Sequence, residues 1–283
     1  MTDSPGSRTI VICGKGGIGK STIASNLAVA MSRAGRRVLQ VGCDPKHDSC
    51  SGHCDAPPGT VMQGMEADGR LDRQRLRDMV VRGRDGVHCL EVGGPQPGVG
   101  CAGRAITLVL DFMREDLEFF GGFDVRIFDL LGDVVCGGFA APMRTGPDAL
   151  IYLVSSGELL PMYAANNIAR GVVNLARRGG GRVAGVIANL RATHEERALL
   201  GGFAQALGTR VAGWIPRDAR VGEAESVKRA VVDLFPDCPA SRALTDLAAA
   251  VLACRPEEAV VPTPLADDVL QARCAAARPG TSS

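Results

Sequence analysis

Residues 9–22 read Thr-Ile-Val-Ile-Cys-Gly-Lys-Gly-Gly-Ile-Gly-Lys-Ser-Thr. An apolar run, Thr9–Cys13, is followed by a glycine-rich turn and then by an amphipathic stretch, Lys20–Ala34, that stops at Gly35. This order predicts a buried strand, a loop and a helix. In that context the spacing Gly-x4-Gly-Lys-Ser is typical of a phosphate-binding loop, whose backbone N–H groups and helix N-terminus attract the phosphates of a nucleotide.

The same alternation of short apolar runs and amphipathic stretches continues along the chain. Further strands are predicted at Arg37–Cys43, Val87–Val92, Val125–Leu130, Leu150–Ser155, Val183–Asn189 and Val211–Ile215. Further helices are predicted at Ala105–Arg114, Met162–Arg177, Glu195–Leu207, Glu223–Leu234 and Ser241–Ala253. Continuous Val/Ile/Leu runs indicate parallel strands that are buried on both faces. We therefore expect an α/β fold with a doubly wound, mostly parallel sheet and ligands at the carboxyl ends of its strands.

The rhythm of strands and helices extends to about residue 255 and then changes. We expect a single domain over residues 1–255. Residues 256–283 are rich in Pro, Ala and Asp, so we expect an extended or disordered C-terminal tail there.

Composition excludes several classes of partner. The chain has 283 residues, of which 46% are hydrophobic and 4% aromatic, and its formal net charge is +1. This balance provides neither an overall field nor a stacking surface for nucleic acid. No apolar run of about 18 residues occurs and Met1–Thr9 is polar, so we expect no membrane association and a cytoplasmic location. The ten cysteines should then be reduced core residues, metal ligands or redox groups.

Within the loop, the two lysines have different expected roles. Lys20 should hold the β- and γ-phosphates and Ser21 should reach Mg²⁺. Lys15 cannot easily share its own chain's phosphate with Lys20. It resembles the signature lysine of the deviant Walker A ATPases, which reaches across a dimer to the partner's nucleotide; the alternative is a free solvated lysine. The remaining residues that we expect to cradle the nucleotide are Gly14, Gly16, Gly17, Ile18, Gly19 and Thr22.

Three aspartates lie where catalytic carboxylates of such ATPases are expected. Asp44 follows the second predicted strand, and Asp129 ends the apolar run 125–128, where a carboxylate would face Mg²⁺ through water. Asp133 lies four residues later and could position the attacking water. Each could alone be a helix cap or turn former. Their positions at strand ends favour a role in ATP hydrolysis.

Two cysteines have glycine-rich surroundings. Cys101 lies in Gly-Val-Gly-Cys-Ala-Gly and Cys136 in Val-Val-Cys-Gly-Gly. A cubane cluster needs four thiolates, so two cysteines per chain supply half a site that a two-fold dimer would complete. Lys15 independently requires such a dimer, and this agreement favours the pair.

A second group of possible ligands is local in sequence. Cys43, Cys50 and Cys54 occur with His47 and His53, and a zinc site there remains an alternative, although no Cys-x2-Cys pair is present.

Several segments resemble the nitrogenase iron protein family over about residues 8–235. They are residues 14–22, 42–49, 98–104, 129–140, 162–168 and 216–218. The resemblance implies a homodimer with one bridging 4Fe–4S cluster, held by Cys101 and Cys136 of both subunits, and MgATP in each subunit. It also implies a nitrogenase-like catalytic partner of two subunit types, and ferredoxin or flavodoxin as the electron donor.

The resemblance further assigns roles to single positions. Switch I contains Asp44, Lys46 and Asp48, and switch II spans Asp129–Phe139. The adenine is framed by Asn189, Pro216, Arg217 and Asp218, Glu158 lies near the nucleotide site of the dimer, and Arg104 matches an arginine that is ADP-ribosylated in some members.

The branch within the family is a separate question. Residues 43–48 look like the protochlorophyllide-reducing branch, whereas residues 101–104 and 162–167 look like dinitrogenase reductase. This mixture favours a nitrogenase-like system, with methylthio-alkane reductase first and dinitrogenase reductase or protochlorophyllide/chlorophyllide reductase as alternatives.

Two other classes of ATPase compete with this interpretation. A ParA/MinD-type positioning ATPase would require a basic amphipathic helix or a DNA-binding face. Arg70–Arg84 is instead predicted to be a solvated helix, because acidic residues lie among its arginines. A cluster-assembly ATPase would pass its cluster on during turnover.

Overall fold

A central sheet organises the chain, as seen in a computed structural model that describes residues 7–44, 47–56, 58–68, 71–94, 103–130, 140–146, 148–191 and 195–276. Its strands are β1 Arg8–Gly14, β2 Val38–Gly42, β3 Val81–Arg82, β4 His88–Glu91, β5 Val125–Asp129, β6 Leu150–Ser155, β7 Arg182–Asn189 and β8 Val211–Ile215. The strand order is β3-β4-β2-β5-β1-β6-β7-β8. Every pairing is parallel except that of β3 with β4. The doubly wound, mostly parallel sheet is therefore confirmed.

Helices cover both faces of this sheet. They are α1 Lys20–Arg33, α2 Val61–Asp68, α3 Arg73–Asp78, α4 Gly103–Glu115, α5 Leu117–Phe120, α6 Leu159–Ala176, α7 Glu195–Ala206, α8 Ala219–Ser226, α9 Val231–Leu234, α10 Pro239–Ala253 and α11 Asp267–Ala276. Strand β1 shows why two layers form, because Ile10 and Ile12 pack into one core cluster and Val11 and Cys13 into the other. Alternate side chains of a strand point to opposite faces, so a strand that is apolar throughout needs cover on both sides.

Two predicted helices are wrong in extent. The helix expected at Glu223–Leu234 is divided into α8 and α9, and Lys228 between them has a φ of 53°, which ends a right-handed helix. In the arginine-rich stretch Arg70–Arg84, the described residues 71–84 contain one short α-helix, α3, after which Val81 and Arg82 pair with the edge of β4. Consecutive valines at 80 and 81 suit an edge strand better than a solvated helix.

The segment expected to be an extended or disordered tail is folded as far as residue 276. Helix α11 packs on α6 and buries Leu270 and Cys274. Just before it, the buried Asn166 of α6 donates to the carbonyl of Leu265 and accepts from its N–H, both at 2.9 Å. Asp267 adds hydrogen bonds from Tyr163 and Arg170. Since these partners lie on α6, their contribution is not visible in the composition of the segment itself.

None of the helices in the described part of the chain combines the length and the apolarity that crossing a bilayer would need.

Candidate functional site

The glycine-rich loop between β1 and α1 has a conformation that only glycine adopts easily. Gly14, Gly17 and Gly19 have φ values of 154°, 72° and 95°. A Cβ on Gly14 would lie 2.4 Å from the carbonyl oxygen of Val154 on β6, and one on Gly19 would lie 2.7 Å from Nδ2 of Asn189. Backbone conformation therefore favours glycine at all three positions, and close packing also requires it at Gly14 and Gly19, as in a phosphate-binding loop.

Lys20 begins α1 and is only 7% exposed. Its Nζ donates to the carbonyl oxygen of Lys15 at 3.1 Å, so the ammonium group lies against the curve of its own loop. The N-terminus of α1 has no side-chain cap, and Gly19 occupies the capping position. Uncapped N–H groups beside a buried ammonium favour an anion, and this geometry agrees with the expected role of Lys20.

Asn189, at the end of β7, supports the loop from the other side. Its Nδ2 donates to the carbonyl oxygen of Ile18 at 2.7 Å. Asn189 is paired in register with Ile215 of β8, so the segment 216–218 begins beside it. Asp218 caps α8 by accepting from the N–H of Arg220 at 3.0 Å and also accepts from Ala240 at 3.2 Å. These hydrogen bonds lower the pKa of Asp218. Asn189 and the segment 216–218, the positions expected to frame the adenine, lie at the same edge of the sheet.

Asp129 is buried at the end of β5, and its carboxylate faces both the loop and switch I. Ser49 donates its hydroxyl to Oδ2 at 2.6 Å, while Oδ1 accepts no hydrogen bond from any residue that the structure describes. Burial raises the pKa of Asp129, and the neighbouring hydroxyls of Ser21 and Ser49 and the charge of Lys20 act in the opposite direction. A free carboxylate oxygen beside a serine hydroxyl is a donor set that fits Mg²⁺.

The segment expected to be switch I is fixed mainly through residues 49 and 50, which directly follow Asp48. The carbonyl oxygen of Ser49 accepts from Gln40 Nε2 at 2.7 Å and from Ser25 Oγ at 2.9 Å. The N–H of Cys50 donates to Glu91 Oε1 at 2.7 Å. By contrast, Asp48 is exposed. Lys46, predicted for the same switch, lies outside the described residues, and Asp44 precedes that gap.

Sequence reasoning missed two of these residues. Ser49 and Glu91 were not among the expected site positions, although both are buried beside Asp129. Glu91 ends β4 just as Asp129 ends β5, so the rule that selected Asp129 could have selected Glu91 as well. Ser49 carries no comparable signal, because its role depends on a contact with a strand 80 residues away.

A cleft opens next to the loop, between α1, switch I and the α8–α9 region. Its volume is about 290 Å³, and its lining includes Ser21, Thr22, Asp48, Ser51, Glu225 and Lys228. The hydroxyl of Thr22 donates to the Glu225 carboxylate across one side of this cleft. The lining is polar and reaches the hydroxyls of the loop, so the cleft suits a charged, hydrated ligand.

Glu158 and Lys15 are the positions expected near a dimer's nucleotide. Glu158 is exposed, accepts from Ser156 Oγ at 2.9 Å and lies 3.8 Å from Arg191 Nε. Arg191 also donates to the carbonyl oxygen of Gly17 at 3.5 Å, and so joins Glu158 to the loop. Lys15 is partly exposed, and its ammonium group contacts no partner within the ranges described for this chain.

Cys101 and Cys136, the two predicted cluster ligands, and the predicted catalytic Asp133 lie outside the described residues, as does the side chain of Arg104. Eight other cysteines are described; all are free thiols, and seven of them are buried.

The alternative zinc ligands are not gathered into one site. Cys43 belongs to the core cluster on one face of the sheet, whereas Cys50 and Cys54 belong to the cluster on the other face. His53 contacts Gln40 Oε1 at 2.9 Å, and burial lowers its pKa to about 4. Among the residues with described positions, no three His, Cys, Asp or Glu side chains are arranged to hold a metal ion.

Comparison with known families extends over nearly the whole chain. The sequence profile of the "4Fe-4S iron sulfur cluster binding proteins, NifH/frxC family" matches residues 8–277. The chain belongs to this NifH/frxC family. The match includes the loop and Asp129, and it also includes Cys101 and Cys136.

Solved structures similar to this NifH/frxC family member include ATPases of cell division. MinD from Pyrococcus horikoshii, complexed with Mg-ADP, has a TM-score of 0.67 at 21% identity, over 86% of this chain and 94% of that one. The MinD cell division protein of Aquifex aeolicus has a TM-score of 0.65 at 19% identity, covering 86% and 95%. A ParA family ATPase from Chlorobium tepidum has a TM-score of 0.65 at 19% identity, covering 86% and 98%. At these identities the likeness shows the shared P-loop α/β fold.

Proposed function

We propose that this NifH/frxC protein is an ATP-dependent reductase, a homodimer that holds one 4Fe–4S cluster between its subunits and donates low-potential electrons to a nitrogenase-like catalytic partner. The observation that carries the proposal is the contact between Ser49 and Asp129, which joins the two switch segments beside the phosphate-binding loop. Asp129 lies only seven residues before Cys136. A change at the nucleotide therefore has a short covalent route to a proposed cluster ligand.

In the proposed function, each group of residues at the nucleotide site has its own task. Residues 14–22 hold the phosphates, with Ser21 on Mg²⁺ and Asp129 facing the ion through its free oxygen. Asn189 and residues 216–218 bind the base, since they share one edge of the sheet. Asp44 and Asp133 orient the attacking water, with Lys46 and Asp48 completing switch I.

The partly exposed Lys15 and the exposed Glu158 support a role for the second subunit. Lys15 makes no side-chain bond in the part of the chain with described positions, so its charge is available to a partner's nucleotide. Glu158 lies at the start of α6, next to the exposed apolar side chains of Leu160 and Tyr163. Exposed apolar residues beside polar site residues are typical of a dimer interface.

The cysteine inventory supports Cys101 and Cys136 as the cluster ligands. Cys101 follows β4 and Cys136 follows β5, and the carboxyl ends of both strands are at the edge of the sheet that carries the loop. The buried cysteines of the core cannot bridge two subunits. The cluster supplies one-electron chemistry at low potential. The chain's own contribution is to bind the cluster, to shield it and to control its surroundings.

Within the family, the mixed character of residues 43–48 and 101–104 favours a methylthio-alkane reductase system, with ferredoxin or flavodoxin as the donor. Dinitrogenase reductase and protochlorophyllide or chlorophyllide reductase are the alternatives. These systems can be distinguished by activity assays with the catalytic component encoded next to this protein in the genome. Thioether cleavage is the expected activity, and reduction of dinitrogen or of a tetrapyrrole instead would overturn this assignment.

Anaerobic purification tests the proposal as a whole. We expect a brown dimer with about four iron atoms per two chains. Cys101→Ser and Cys136→Ser should each lose this iron, whereas Cys238→Ser, which changes the one partly exposed cysteine among those described, should keep it. A colourless, folded wild-type ATPase without iron would favour a positioning ATPase of the ParA/MinD type. Iron that leaves during repeated turnover would instead indicate a cluster-assembly ATPase.

A further inference from the structure

Glu91 is a fully buried carboxylate to which neither the family resemblance nor the sequence motifs assign a role. It ends β4 and lies over Gly42, the last residue of β2. A Cβ on Gly42 would be only 2.1 Å from Glu91 Oε2, so the carboxylate fills the space that a side chain would need there. This close approach fixes the carboxylate at the carboxyl edge of the sheet.

The contacts of Glu91 do not suggest that its burial stabilises the fold. Oε1 accepts one hydrogen bond, from the N–H of Cys50, and Oε2 accepts none from the residues with described positions. Burial has the largest effect and raises the pKa of Glu91, the hydrogen bonds from the N–H and the thiol of Cys50 lower it, and the charges of Asp129 and Asp48 raise it again. A buried acid that faces other acids costs folding free energy, and such costs are expected at functional sites.

The backbone hydrogen bond of Glu91 is made to a peptide group that is held at both ends. The N–H of Cys50 and the carbonyl of Ser49 belong to the same peptide unit. Glu91 holds the N–H at 2.7 Å, and Gln40 Nε2 and Ser25 Oγ hold the carbonyl oxygen at 2.7 and 2.9 Å. Three anchors on one rigid plane fix its position and its rotation.

This peptide carries the side chain that contacts Asp129. Ser49 Oγ donates to Asp129 Oδ2 at 2.6 Å, in the site where ATP hydrolysis is proposed. If the peptide is displaced, Cα of Ser49 moves with it, and the hydroxyl on that residue loses its contact with Asp129.

We propose that Glu91 is a positioning residue for ATP hydrolysis, which clamps the Ser49–Cys50 peptide and thereby holds the Ser49 hydroxyl on Asp129. The inference rests on the proposed ATPase function of the same site. On this inference, the Glu91 side chain acts through its length, which brings an acceptor oxygen to the N–H of Cys50, and not through its charge.

Two substitutions separate reach from charge. Glu91→Gln keeps an acceptor oxygen at the same distance from the N–H of Cys50 but removes the charge. Glu91→Asp keeps the charge but retracts the carboxylate by about 1.5 Å, one carbon–carbon bond. Asp116→Asn is the matched control, because Asp116 is also a buried carboxylate that accepts a backbone N–H, from Phe119, but it pairs with Arg77 away from the loop.

The assay measures the kcat for ATP hydrolysis of the purified dimer, per nucleotide-binding site, and separately the Kd for a fluorescent ADP analogue. We expect Glu91→Asp to lower kcat by about 10- to 100-fold, because a misplacement of about 1 Å has costs of this size. The Kd should change less than about threefold, because the loop is untouched, and Glu91→Gln and the control should keep kcat within about threefold.

Ser49→Ala provides a second test that does not depend on the folding of a Glu91 variant. It should lower kcat as Glu91→Asp does, and the double variant should be no slower than either, because both break the same link. A purely structural role would lower the unfolding midpoint of Glu91→Asp without lowering kcat per site.

Wild-type kcat in Glu91→Asp, or a kcat for Glu91→Gln as low as that of Glu91→Asp, would overturn the inference while the ATPase function stands. A wild-type dimer that does not hydrolyse ATP would overturn the proposed function itself.

Discussion

Two buried titratable side chains, Glu91 and His53, should make the stability of the protein depend on pH. Burial raises the pKa of Glu91 from 4.5 to about 7 and lowers that of His53 from 6.5 to about 4. The folded state thus holds a proton on Glu91 that the unfolded chain has lost. Stability from this proton is fully present below pH 4.5 and is lost as the pH rises through about 7. For His53 the sign is opposite, and stability is lost as the pH falls from 6.5 through about 4.

Each shift corresponds to about 3 kcal/mol, since one pKa unit is worth about 1.4 kcal/mol. In the wild type the two contributions oppose each other between pH 4.5 and 6.5, so the unfolding free energy changes little there. Glu91→Gln removes one contribution and leaves the other. The free energy of unfolding of the wild type minus that of Glu91→Gln should therefore fall by about 3 kcal/mol as the pH rises from 4.5 to 8.

Urea denaturation of the nucleotide-free protein at several pH values measures this difference, provided that the m-values of the two proteins agree. Glu257→Gln, which changes an exposed glutamate, is the control and should show a small difference at every pH. A difference for Glu91→Gln that is constant with pH, or that grows as the pH rises, would refute the reasoning about the buried carboxyl.

Three further predictions test single contacts. Gly19→Ala should weaken ADP binding by at least about tenfold in calorimetry, because residue 19 has a φ of 95° and its new Cβ would overlap the side-chain amide of Asn189. The control Gly201→Ala, in an open part of α7, should bind ADP normally, and equal affinities of the two variants would refute this. Lys15→Gln should abolish ATP hydrolysis in the dimer yet bind ADP normally, and unchanged turnover would show that Lys15 is only a solvated lysine. Asn166→Ala removes the partner of the Leu265 N–H and leaves the Leu265 carbonyl with Arg170 alone, so the unfolding free energy should fall by about 2 kcal/mol. No loss would mean that the C-terminal segment is held by other contacts.

The sequence predicted the parts of the fold that depend on local patterns. The first strand, the loop and α1 were correct because apolar periodicity, glycines and a helix start agree over 9–34. The break between α8 and α9 was missed because Lys228 adopts a positive φ, and a positive φ at a residue other than glycine cannot be predicted from the local sequence. Helix α11 was missed because it buries few side chains and depends on partners from α6.

The part of the site that was predictable from the sequence is the part whose residues all lie in one continuous segment. The loop residues follow from spacing alone, but the contacts of Glu91 and Ser49 with their partners follow from the strand order β4-β2-β5, which local patterns do not specify. The same limit applies to the cysteines near switch I. Their neighbours in sequence suggested one metal site, and the sheet places Cys43 on the face opposite Cys50.

In the proposed function, bound ATP changes the properties of an iron–sulfur cluster that the two subunits share. The decisive experiment measures the midpoint potential of the anaerobically purified dimer, titrated with EPR detection with and without MgATP. We predict a low-potential couple that becomes more negative with MgATP by several tens of millivolts, where about 59 mV is a tenfold change for one electron. The direction follows because added negative charge stabilises the oxidised cluster. Identical potentials in both states, or a protein with no redox-active iron, would contradict the account.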